Sequence, residues 1–526
     1  MVIMKNRSNQ VFIPLLVFFI FFFSMAVVQF STPDLPDNDG FYHIKLAWLM
    51  RTEGLKPVFS WLPLTILNPR EFYDHHFLFH VALIPFTFGD LVTGAKWAAV
   101  TFSSLAFLTI WYLFSQQKID HPLLWSVGLL AVSEAFIYRM SIPRAQSLSL
   151  GVLALGMAWM LSGKYIRLAQ LAFFYVWLYD AFPLLMALAV LYVVAIAITE
   201  HRLELRPVIY VGIGLALGIL VNPYFPYNLI FAYRHMLPKL VDATSIRVGN
   251  EWYPYTTEQL LNNSFPGLLA FFSGMFALGL SGRKMDLRTT FSLLVSLLFG
   301  LMLFQARRFV EYFPALVLIF STFAWSPFFQ DNKPQTEIKN QVSPFTTHFW
   351  KELIQNLQSA LTQQPASTRP EIFRWLATVF IFIVMLTGSI FTITRAQSSI
   401  RDSSPFNMYA GASAWLEKNT PMGARVFQTD WDDFPRLFFY NTHNTYLIGL
   451  DPTYLQIADP DLFSLWEKIT RGNVKNLSEI ISGRFAAQYI HTDLKHTDFI
   501  KTAEQDPGLR EVYRDEQAVI FEVIPK

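Results

Sequence analysis

The chain has 526 residues and a formal net charge of +2; 53% of its residues are hydrophobic and only 15% are charged. Soluble domains have nearer a quarter of charged residues, so this composition argues against an ordinary soluble protein. The chain has neither a long basic tract nor a basic patch with interleaved aromatic residues, so we expect no nucleic-acid partner. Cys is absent, which excludes disulfides and thiolate metal sites.

The first apolar segment, residues 11–30, predicts a membrane span. Lys5 and Arg7 precede it, as basic residues do in a signal peptide. However, the segment is long enough to cross a bilayer, which needs about 20 residues. The sequence STPDLPD that follows does not match a small-residue cleavage site. We therefore expect an uncleaved first span with its basic end in the cytoplasm.

Further apolar stretches predict a polytopic α-helical protein of the cell membrane with about 11 transmembrane helices. Lys and Arg of most short loops then fall on the cytoplasmic side. Outer loops are predicted at 31–90 and 223–264, and a cytoplasmic linker at 326–372. Within this linker, apolar residues at helical spacing over 345–361 predict an interfacial helix or a helix packed on neighbouring spans. The predicted spans are 11–30, 91–114, 122–138, 145–161, two within 165–199, 207–222, 265–281, 290–305, 309–325 and 373–394.

Residues 395–526 have the composition of a soluble domain, and the topology places them outside the cell. Segments rich in β-branched and aromatic residues predict strands, and two segments have helical spacing. We therefore predict a transmembrane domain over 1–394, followed by an extracytoplasmic α/β domain over 395–526. The strand-like segments are 425–434, 444–450, 485–492 and 518–524, and the helical ones are 410–419 and 462–472.

The stretch DNDGFYHIK, residues 37–45, carries the first candidate site residues. It follows the first span and opens a short helix predicted over about 39–53. His43 comes one helical turn after Asp39, and residues four apart share a helix face. Asp39, with Asp37 or His43, could bind a divalent cation or remove a proton from an acceptor. Alternatively, an Asp at a helix start acts as an N-cap, which stabilises the helix by about 1 kcal/mol without any catalysis.

Further acids and imidazoles are predicted on the same side of the membrane. The segment EFYDHHFLFH (71–80) contains Asp74, His75 and His76, and GNEWYP (249–254) contains Glu251. Carboxylates and imidazoles are suitable ligands for Mg²⁺ or Mn²⁺. The alternatives are histidines hydrogen-bonded to lipid or backbone at the interface, and a surface acid beside an aromatic anchor.

Four arginines fall in outer loops or at span ends, against the rule that places positive charge inside: Arg139, Arg144, Arg307 and Arg308. The planar fork of an arginine suits a phosphate or pyrophosphate linked to a lipid. The alternatives are contact with lipid head groups and pairing within the protein, as between Arg308 and Glu311.

With these residues, the chain resembles the GT-C superfamily of integral-membrane glycosyltransferases, and within it the catalytic subunits of oligosaccharyltransferases. NDGFYHIK (38–45) is similar to the first acidic motif of that family, which implies that Asp39 is the metal- and acceptor-binding carboxylate. DHH (74–76) looks like a motif in the same outer loop of archaeal and bacterial relatives. The resemblance further implies that Glu251 completes the site and that Arg307 and Arg308 contact the donor phosphate.

The chain departs from the family pattern in two segments. YRMSIPRAQ (138–146) has no acid where the family has a second paired-acid motif. The family's tryptophan-tryptophan-aspartate motif, which recognises the acceptor, has only DWDDFP (430–435) as its counterpart here. The resemblance therefore implies that Trp431 and Asp432, with Trp252, contact the acceptor.

The resemblance implies an inverting, metal-dependent glycosyltransferase of the membrane, with Mn²⁺ or Mg²⁺ held at Asp39 and Glu251. It would move a sugar from a polyprenyl-phosphate-linked donor to an extracytoplasmic acceptor, which is a glycan, lipid or protein, and Asp37 would be a further carboxylate and general base. Two alternatives are a transporter or flippase for lipid-linked sugars, which would use the same arginines without a metal, and a non-catalytic assembly subunit whose C-terminal domain docks a partner.

Overall fold

The structure is a computed structural model that describes residues 2–236, 249–329 and 369–524. It is mostly helical, with one five-stranded sheet near the C-terminus. Most of the predicted linker 326–372, including its apolar segment 345–361, lies outside the described residues. Part of the predicted outer loop 223–264 lies outside them as well.

The helices up to residue 401 form the apolar part of the protein. Short 3₁₀ helices connect or flank several of them, at Ile84–Thr87, Gly128–Leu130, Asn250–Trp252 and Arg307–Glu311. The α-helices are α1 (Val2–Gln29), α2 (Asp39–Glu53), α3 (Phe77–Leu83), α4 (Leu91–Gln116), α5 (Pro122–Val127), α6 (Glu134–Met140), α7 (Gln146–Leu161), α8 (Tyr165–Leu178), α9 (Pro183–Glu200), α10 (Arg206–Leu220), α11 (Tyr227–Phe231), α12 (Thr257–Ser281), α13 (Leu287–Gln305), α14 (Phe313–Phe329) and α15 (Arg369–Arg401).

The protein is a polytopic membrane protein, as its composition predicts. Among the described residues, six helices are long and apolar enough to cross a membrane, or seven if the bent pair Pro122–Leu130 and Glu134–Met140 forms one span. Four other predicted spans fall on apolar helices of 10–17 residues. The total of about 11 spans therefore stays a prediction. The six helical segments long and apolar enough to be spans are Val11–Gln29, Leu91–Gln116, Pro183–Glu200, Thr257–Ser281, Leu287–Gln305 and Trp375–Arg401.

Small residues allow neighbouring apolar helices to approach closely, as between α8 and α10. A Cβ atom on Gly214 would overlap the carbonyl oxygen of Ala169, and one on Gly218 would lie 2.7 Å from that of Phe173. The indole of Trp177 also donates a hydrogen bond to the carbonyl of Gly218 at 2.9 Å. Close packing of this kind stabilises helix pairs in membranes, where apolar burial alone gives no preference for a neighbouring helix over lipid.

Beyond α15 the chain forms a mixed sheet with helices on it. The sheet order is β2-β1-β3-β5-β4, with β1 parallel to β2 and β3, and β5 antiparallel to β3 and β4. The strands are β1 (Arg425–Gln428), β2 (Thr445–Tyr446), β3 (Tyr489–Asp493), β4 (Leu509–Arg514) and β5 (Ala518–Val523). The helices are α16 (Ala410–Asn419), α17 (Phe434–Tyr440), α18 (Thr453–Ala458), α19 (Pro460–Thr470), α20 (Leu477–Phe485) and α21 (Thr497–Glu504).

Each of the four predicted strand segments contains a strand, and the two predicted helices of this region are confirmed. Three of the strands differ in their bounds: the segment 425–434 is a strand only over Arg425–Gln428 and then forms a 3₁₀ turn and the start of α17, the second strand is limited to Thr445–Tyr446, and the third begins at Tyr489. The edge strand β4 was not predicted: three of its six residues, Arg510, Glu511 and Arg514, are charged and exposed, so it lacks the apolar pattern of a buried strand. The boundary predicted between 394 and 395 falls within α15, and it stays a prediction.

The segment 31–90, which is predicted to be the first outer loop, connects the membrane part to the C-terminal region. Trp61 donates from its indole to the carbonyl of Thr442 at 2.9 Å, and its own carbonyl accepts from the backbone N–H of Tyr446 at 2.7 Å. Phe59 and Trp61 share a buried aromatic cluster with Phe438. The C-terminal region therefore packs directly on the loop that follows the first span.

Candidate active site

A polar cavity of about 350 Å³ lies where α2, the loop after α6, the 249–252 segment and the C-terminal region meet. Eleven of the predicted site residues line it. The lining residues among them are Asp37, Asp39, His43, His75, His76, Arg144, Glu251, Trp252, Arg308, Trp431 and Asp432. The other three, which are Asp74, Arg139 and Arg307, lie outside this lining.

Asp37 and Asp39, which lie just before and at the start of α2, have different partners. Asp37 has a left-handed backbone with a φ of 70°, and its carboxylate accepts a hydrogen bond from the backbone N–H of Asp39 at 3.3 Å. Asp39 is the first residue of α2, and its own carboxylate instead pairs with the guanidinium of Arg144. The N-cap interpretation therefore does not account for Asp39, whose carboxylate is available to the cavity.

Gly40 allows the loop after α6 to reach the start of α2. A Cβ atom on Gly40 would lie 2.5 Å from Cγ of Pro143 and 2.9 Å from Cδ2 of Leu35. Both distances are too short for ordinary contact, so only glycine permits this approach. Because Arg144 directly follows Pro143, this contact places its guanidinium beside Asp39.

Three arginines and four carboxylates form a connected cluster at the cavity. Arg144 Nη1 lies 3.2 Å from Asp37 Oδ2 and 3.5 Å from Glu251 Oε2, and Nη2 bonds Asp39. Arg139 Nη2 lies 3.1 Å from the same oxygen of Glu251.

The cluster continues through two further residues. Arg139 donates from Nε to Glu311 Oε1 at 2.7 Å. Arg308 Nη1 lies 4.0 Å from Glu251 Oε1. Glu251 is thus the carboxylate that all three arginines approach.

The surroundings give Asp39 and Glu251 different protonation behaviour. Burial raises the pKa of Asp39 to about 6, although the charge of Arg144 opposes this rise. Burial alone would also raise the pKa of Glu251, but Arg144, Arg139 and Arg308 together lower it below its usual range. Glu251 therefore stays ionised, whereas Asp39 can take up and release a proton near neutral pH.

Behind the cavity, Asp74 is hydrogen-bonded to His80, and His80 in turn to His43, which lines the cavity. His80 Nδ1 lies 2.7 Å from Asp74 Oδ2, and His80 Nε2 lies 2.8 Å from His43 Nδ1. This geometry fits a chain of hydrogen bonds in which Asp74 accepts from His80 Nδ1, and His80 Nε2 accepts in turn from His43 Nδ1. His43 Nε2 then carries a lone pair. Burial, with His80 and Arg144, holds the pKa of His43 well below its usual value, which favours this neutral form.

The predicted metal ligands do not converge on one cation position. Within the described ranges, no group of three or more His, Asp or Glu side chains is arranged to hold a metal ion. Asp39 and Glu251 are bridged by Arg144, and Asp74 is bonded to His80. The donor set therefore does not fit a divalent cation between Asp39 and Glu251.

The predicted phosphate-binding arginines differ in their placement. Arg307 donates from Nε to the carbonyl of Tyr253 at 3.2 Å and from Nη2 to that of Pro254 at 3.1 Å. It thus holds the chain beside Glu251 from outside the cavity lining. Arg308 lines the cavity, donates from Nη2 to the Tyr179 hydroxyl at 2.9 Å, and lies 4.1 Å from the centre of the Trp252 ring.

The C-terminal region contributes Trp431 and Asp432 through the 3₁₀ turn Trp431–Asp433. The side-chain amide of Asn38 donates to the Asp432 carbonyl at 3.2 Å and to its Oδ2 at 2.8 Å. Burial, with the nearby Asp37 and Asp39, raises the pKa of Asp432 to about 7. The two predicted acceptor-contact residues therefore lie next to the start of α2.

Sequence reasoning missed several cavity residues. Tyr179 stacks on His76 with ring centres 5.3 Å apart, and His235 Nε2 lies 3.3 Å from Asp451 Oδ2. Tyr454 also lines the cavity. A break in an apolar stretch marks the region of Tyr179, but no local pattern connects residue 235 with residue 451.

No protein-family model matches the chain, and no curated protein matches it. Solved structures match over nearly its full length. The apo oligosaccharyltransferase of Archaeoglobus fulgidus has a TM-score of 0.62 and 13% identity, covering 94% of this chain and 71% of that one. ArnT from Cupriavidus metallidurans bound to undecaprenyl phosphate has a TM-score of 0.53 and 13% identity, covering 98% of each chain.

The arabinofuranosyltransferase AftD from Mycobacteria has a TM-score of 0.54 and 14% identity, covering 98% of this chain and 40% of that one. At such identities the likeness establishes the fold. This protein is a polytopic membrane protein with a C-terminal α/β region, and its fold is GT-C-like. The resemblance found in its motifs is confirmed at the level of the fold.

Proposed function

We propose that this protein is an inverting glycosyltransferase that moves a sugar from a polyprenyl-phosphate carrier to an acceptor outside the cytoplasm. The observation that carries the proposal is the cavity itself. It brings Asp39, whose pKa is about 6, together with the guanidinium of Arg308. A carboxylate that can take a proton and a cation that can hold a phosphate are the two groups that such a transfer needs.

The solved relatives support a lipid-phosphate donor. ArnT from Cupriavidus metallidurans was solved with undecaprenyl phosphate, and the Archaeoglobus fulgidus oligosaccharyltransferase with dolichol-phosphate and an inhibitory peptide. In this chain, Arg139 and Arg144 are engaged with carboxylates at 2.7–3.5 Å. Arg308 has the looser contact with Glu251, at 4.0 Å. We therefore assign the donor phosphate to Arg308.

The proposed step is a displacement at the anomeric carbon of the donor sugar. The acceptor oxygen forms a bond to that carbon from the face opposite the phosphate, and the carbon–oxygen bond to the phosphate breaks. The electron pair of that bond leaves with the lipid phosphate, whose charge Arg308 stabilises. Asp39 accepts the acceptor proton, which keeps the step balanced without a further reagent.

Trp431 and Asp432 are the proposed acceptor contacts from the C-terminal region. They lie on the same cavity as Asp39, and Asn38 ties Asp432 to the start of α2. This arrangement suits an acceptor that enters between α2 and the C-terminal region. We further propose that the N-terminus is cytoplasmic and that residues 395–526 form the extracytoplasmic domain, as the loop charges predict.

A cation of the Mn²⁺ or Mg²⁺ type stays a prediction of the sequence. The Archaeoglobus fulgidus oligosaccharyltransferase was also solved with Zn and sulfate, which favours a divalent metal in a site of this fold. In this chain, the ion pairs of Glu251 with three arginines argue against a metal ion at Glu251. The proposed transfer therefore includes no step that uses a metal.

The proposal is tested with the full-length protein in lipid nanodiscs, undecaprenyl phosphate as the probe, and native mass spectrometry. We expect binding of the lipid by the wild type, and binding weaker by roughly tenfold in Arg308→Met, since an ion pair with phosphate is lost. The matched control is Arg510→Met, which removes an exposed arginine of β4 paired only with Glu522 in the described structure. Equal binding by wild type and Arg308→Met would refute the assignment of the phosphate.

A second measurement separates transfer from transport. The protein is mixed with lipid-linked labelled sugars and a cell-envelope extract as the source of acceptors. Label that moves to the extract with wild type, but not with Asp39→Asn, supports the transferase. Lipid binding without any transfer of label would favour the transporter instead.

A further inference from the structure

We propose that Arg144 occupies, between Asp39 and Glu251, the place that a divalent cation would fill. The site is then neutralised by an arginine of the chain itself, and the transfer needs no divalent metal. The inference rests on the proposed function in assigning these carboxylates to sugar transfer, but the binding experiment that tests it does not require activity.

The first observation is that Arg144 bridges carboxylates from separate parts of the chain. Its Nη2 bonds Asp39, and its Nη1 lies 3.2 Å from Asp37 Oδ2 and 3.5 Å from Glu251 Oε2. A divalent cation shared by these groups would use the same oxygen atoms as ligands. In this arrangement those oxygens instead accept hydrogen bonds from the guanidinium.

The second observation is the charge around Glu251. Arg139 and Arg144 approach its Oε2 at 3.1 and 3.5 Å, and Arg308 approaches its Oε1 at 4.0 Å. A metal ion bound to either oxygen would lie next to guanidinium groups, with little water to screen the repulsion because the four side chains are 14–23% exposed. Glu251 therefore belongs to an arginine-bound site rather than to a metal-bound one.

The third observation is that the backbone around Arg144 holds it in this position. The backbone N–H of Arg144 donates to the carbonyl of Ile142 at 2.8 Å, and Pro143 packs where Gly40 has no side chain. The loop is thus fixed against the first turn of α2.

An arginine in this place provides two things that a metal ion would provide, namely a positive charge and a fixed orientation of the carboxylates. A guanidinium stays charged at any physiological pH, and its planar fork fixes the orientation of the carboxylates that it contacts. It thereby keeps Asp39 beside the cavity while Arg308 is left for the leaving phosphate.

The test measures Mn²⁺ binding to the full-length protein in nanodiscs, by the loss of the free-ion signal in electron paramagnetic resonance. In the wild type we expect no binding that depends on Asp39, so wild type and Asp39→Asn should bind Mn²⁺ equally. Arg144→Met should bind one additional equivalent of Mn²⁺, with a dissociation constant at least about tenfold lower than that of any Mn²⁺ binding by the wild type. The double variant Arg144→Met with Asp39→Asn should lose this gain. Arg144→Lys, which keeps the charge, should resemble the wild type.

Two results would overturn the inference. One is a wild-type equivalent of Mn²⁺ that Asp39→Asn or Glu251→Gln removes. The other is a folded Arg144→Met protein that gains no Mn²⁺, because Asp37 and Asp39, which pair with no other arginine in the described part of the chain, would then not bind the metal even when released. Thermal unfolding checks the fold, and Arg144→Gln is the second variant if the Met protein does not fold. Failure to detect sugar transfer with the expected Mn²⁺ results would refute only the proposed function.

Discussion

Arg436 connects the C-terminal region to the start of α2, and its replacement by Met should loosen this junction. The side chain is 1% exposed. Its guanidinium donates to Asn38 Oδ1 at 2.6 Å and to the carbonyl of Pro405 at 2.7 Å. It also lies 4.4 Å from the centre of the Phe41 ring. Because Asn38 in turn bonds Asp432, the junction positions one wall of the cavity.

The size of the effect follows from these contacts. Each hydrogen bond from a charged donor contributes about 1.5–3 kcal/mol, and the contact with the aromatic ring about 0.5–2 kcal/mol. Removal of the guanidinium also relieves its desolvation penalty, which is several kcal/mol. We therefore expect Arg436→Met to lower the free energy of opening this junction by about 3 kcal/mol, which is well below the sum of the individual contact energies.

Hydrogen exchange with mass spectrometry measures this loss. Because about 1.4 kcal/mol corresponds to a tenfold change, amides that exchange when the junction opens should exchange roughly 100-fold faster in Arg436→Met. The relevant peptides cover α2 and α17. Arg510→Met is again the control, since an exposed ion pair contributes less than about 1 kcal/mol. Unchanged exchange in α17 would show that Arg436 does not hold the C-terminal region against the start of α2.

Three further predictions concern the cavity. Gly40→Ala should displace Arg144 and lower the rate of sugar transfer by roughly 100-fold in the labelled-sugar assay, whereas Gly483→Ala, at an open helix position, should leave it unchanged. Since the pKa of Asp39 is about 6, its carboxylate is mostly ionised, and so able to accept a proton, only above that pH. The transfer rate should rise as the pH is raised through about 6 and then level off, and a rise that persists in Asp39→Asn would contradict this role. Asp74→Leu removes the acceptor that fixes the tautomers of His80 and of His43, which lines the cavity, so it should lower kcat by roughly tenfold with the KM for the carrier unchanged; a changed KM alone would contradict that.

The grouping of the site residues could be predicted from the sequence because topology alone gathers them. The loop charges place 31–90 and 223–264 on one side, and with them Asp39 and Glu251. The helix predicted over 39–53 is confirmed as Asp39–Glu53, with Gly54 directly after it. Apolar periodicity and turn residues are local signals, so elements of this kind are accessible from sequence.

The pairing of the charges could not be predicted, since it depends on approach across more than a hundred residues. Arg139 and Arg144 resemble phosphate ligands in the sequence, but they bond carboxylates of α2 and of the 249–252 segment. Arg307 and Arg308 are adjacent, but in the 3₁₀ turn Arg307–Glu311 they point in different directions, so only Arg308 lines the cavity. The segment 138–146 lacks the acids of the family pattern, and its two arginines instead form ion pairs with carboxylates of other segments.

The cluster acts as one unit because its members share partners. Arg144 contacts three carboxylates, and Glu251 is approached by three arginines. Removing one member leaves partners that are buried with unpaired charge, and such charges are more destabilising than the loss of a neutral contact. The effects of Arg144→Met and Glu251→Gln should therefore not add. Arg144→Met leaves the negative charge of Glu251 less neutralised, and Glu251→Gln removes that charge. The melting temperature of the double variant should therefore fall by less than the sum of the decreases measured for the two single variants.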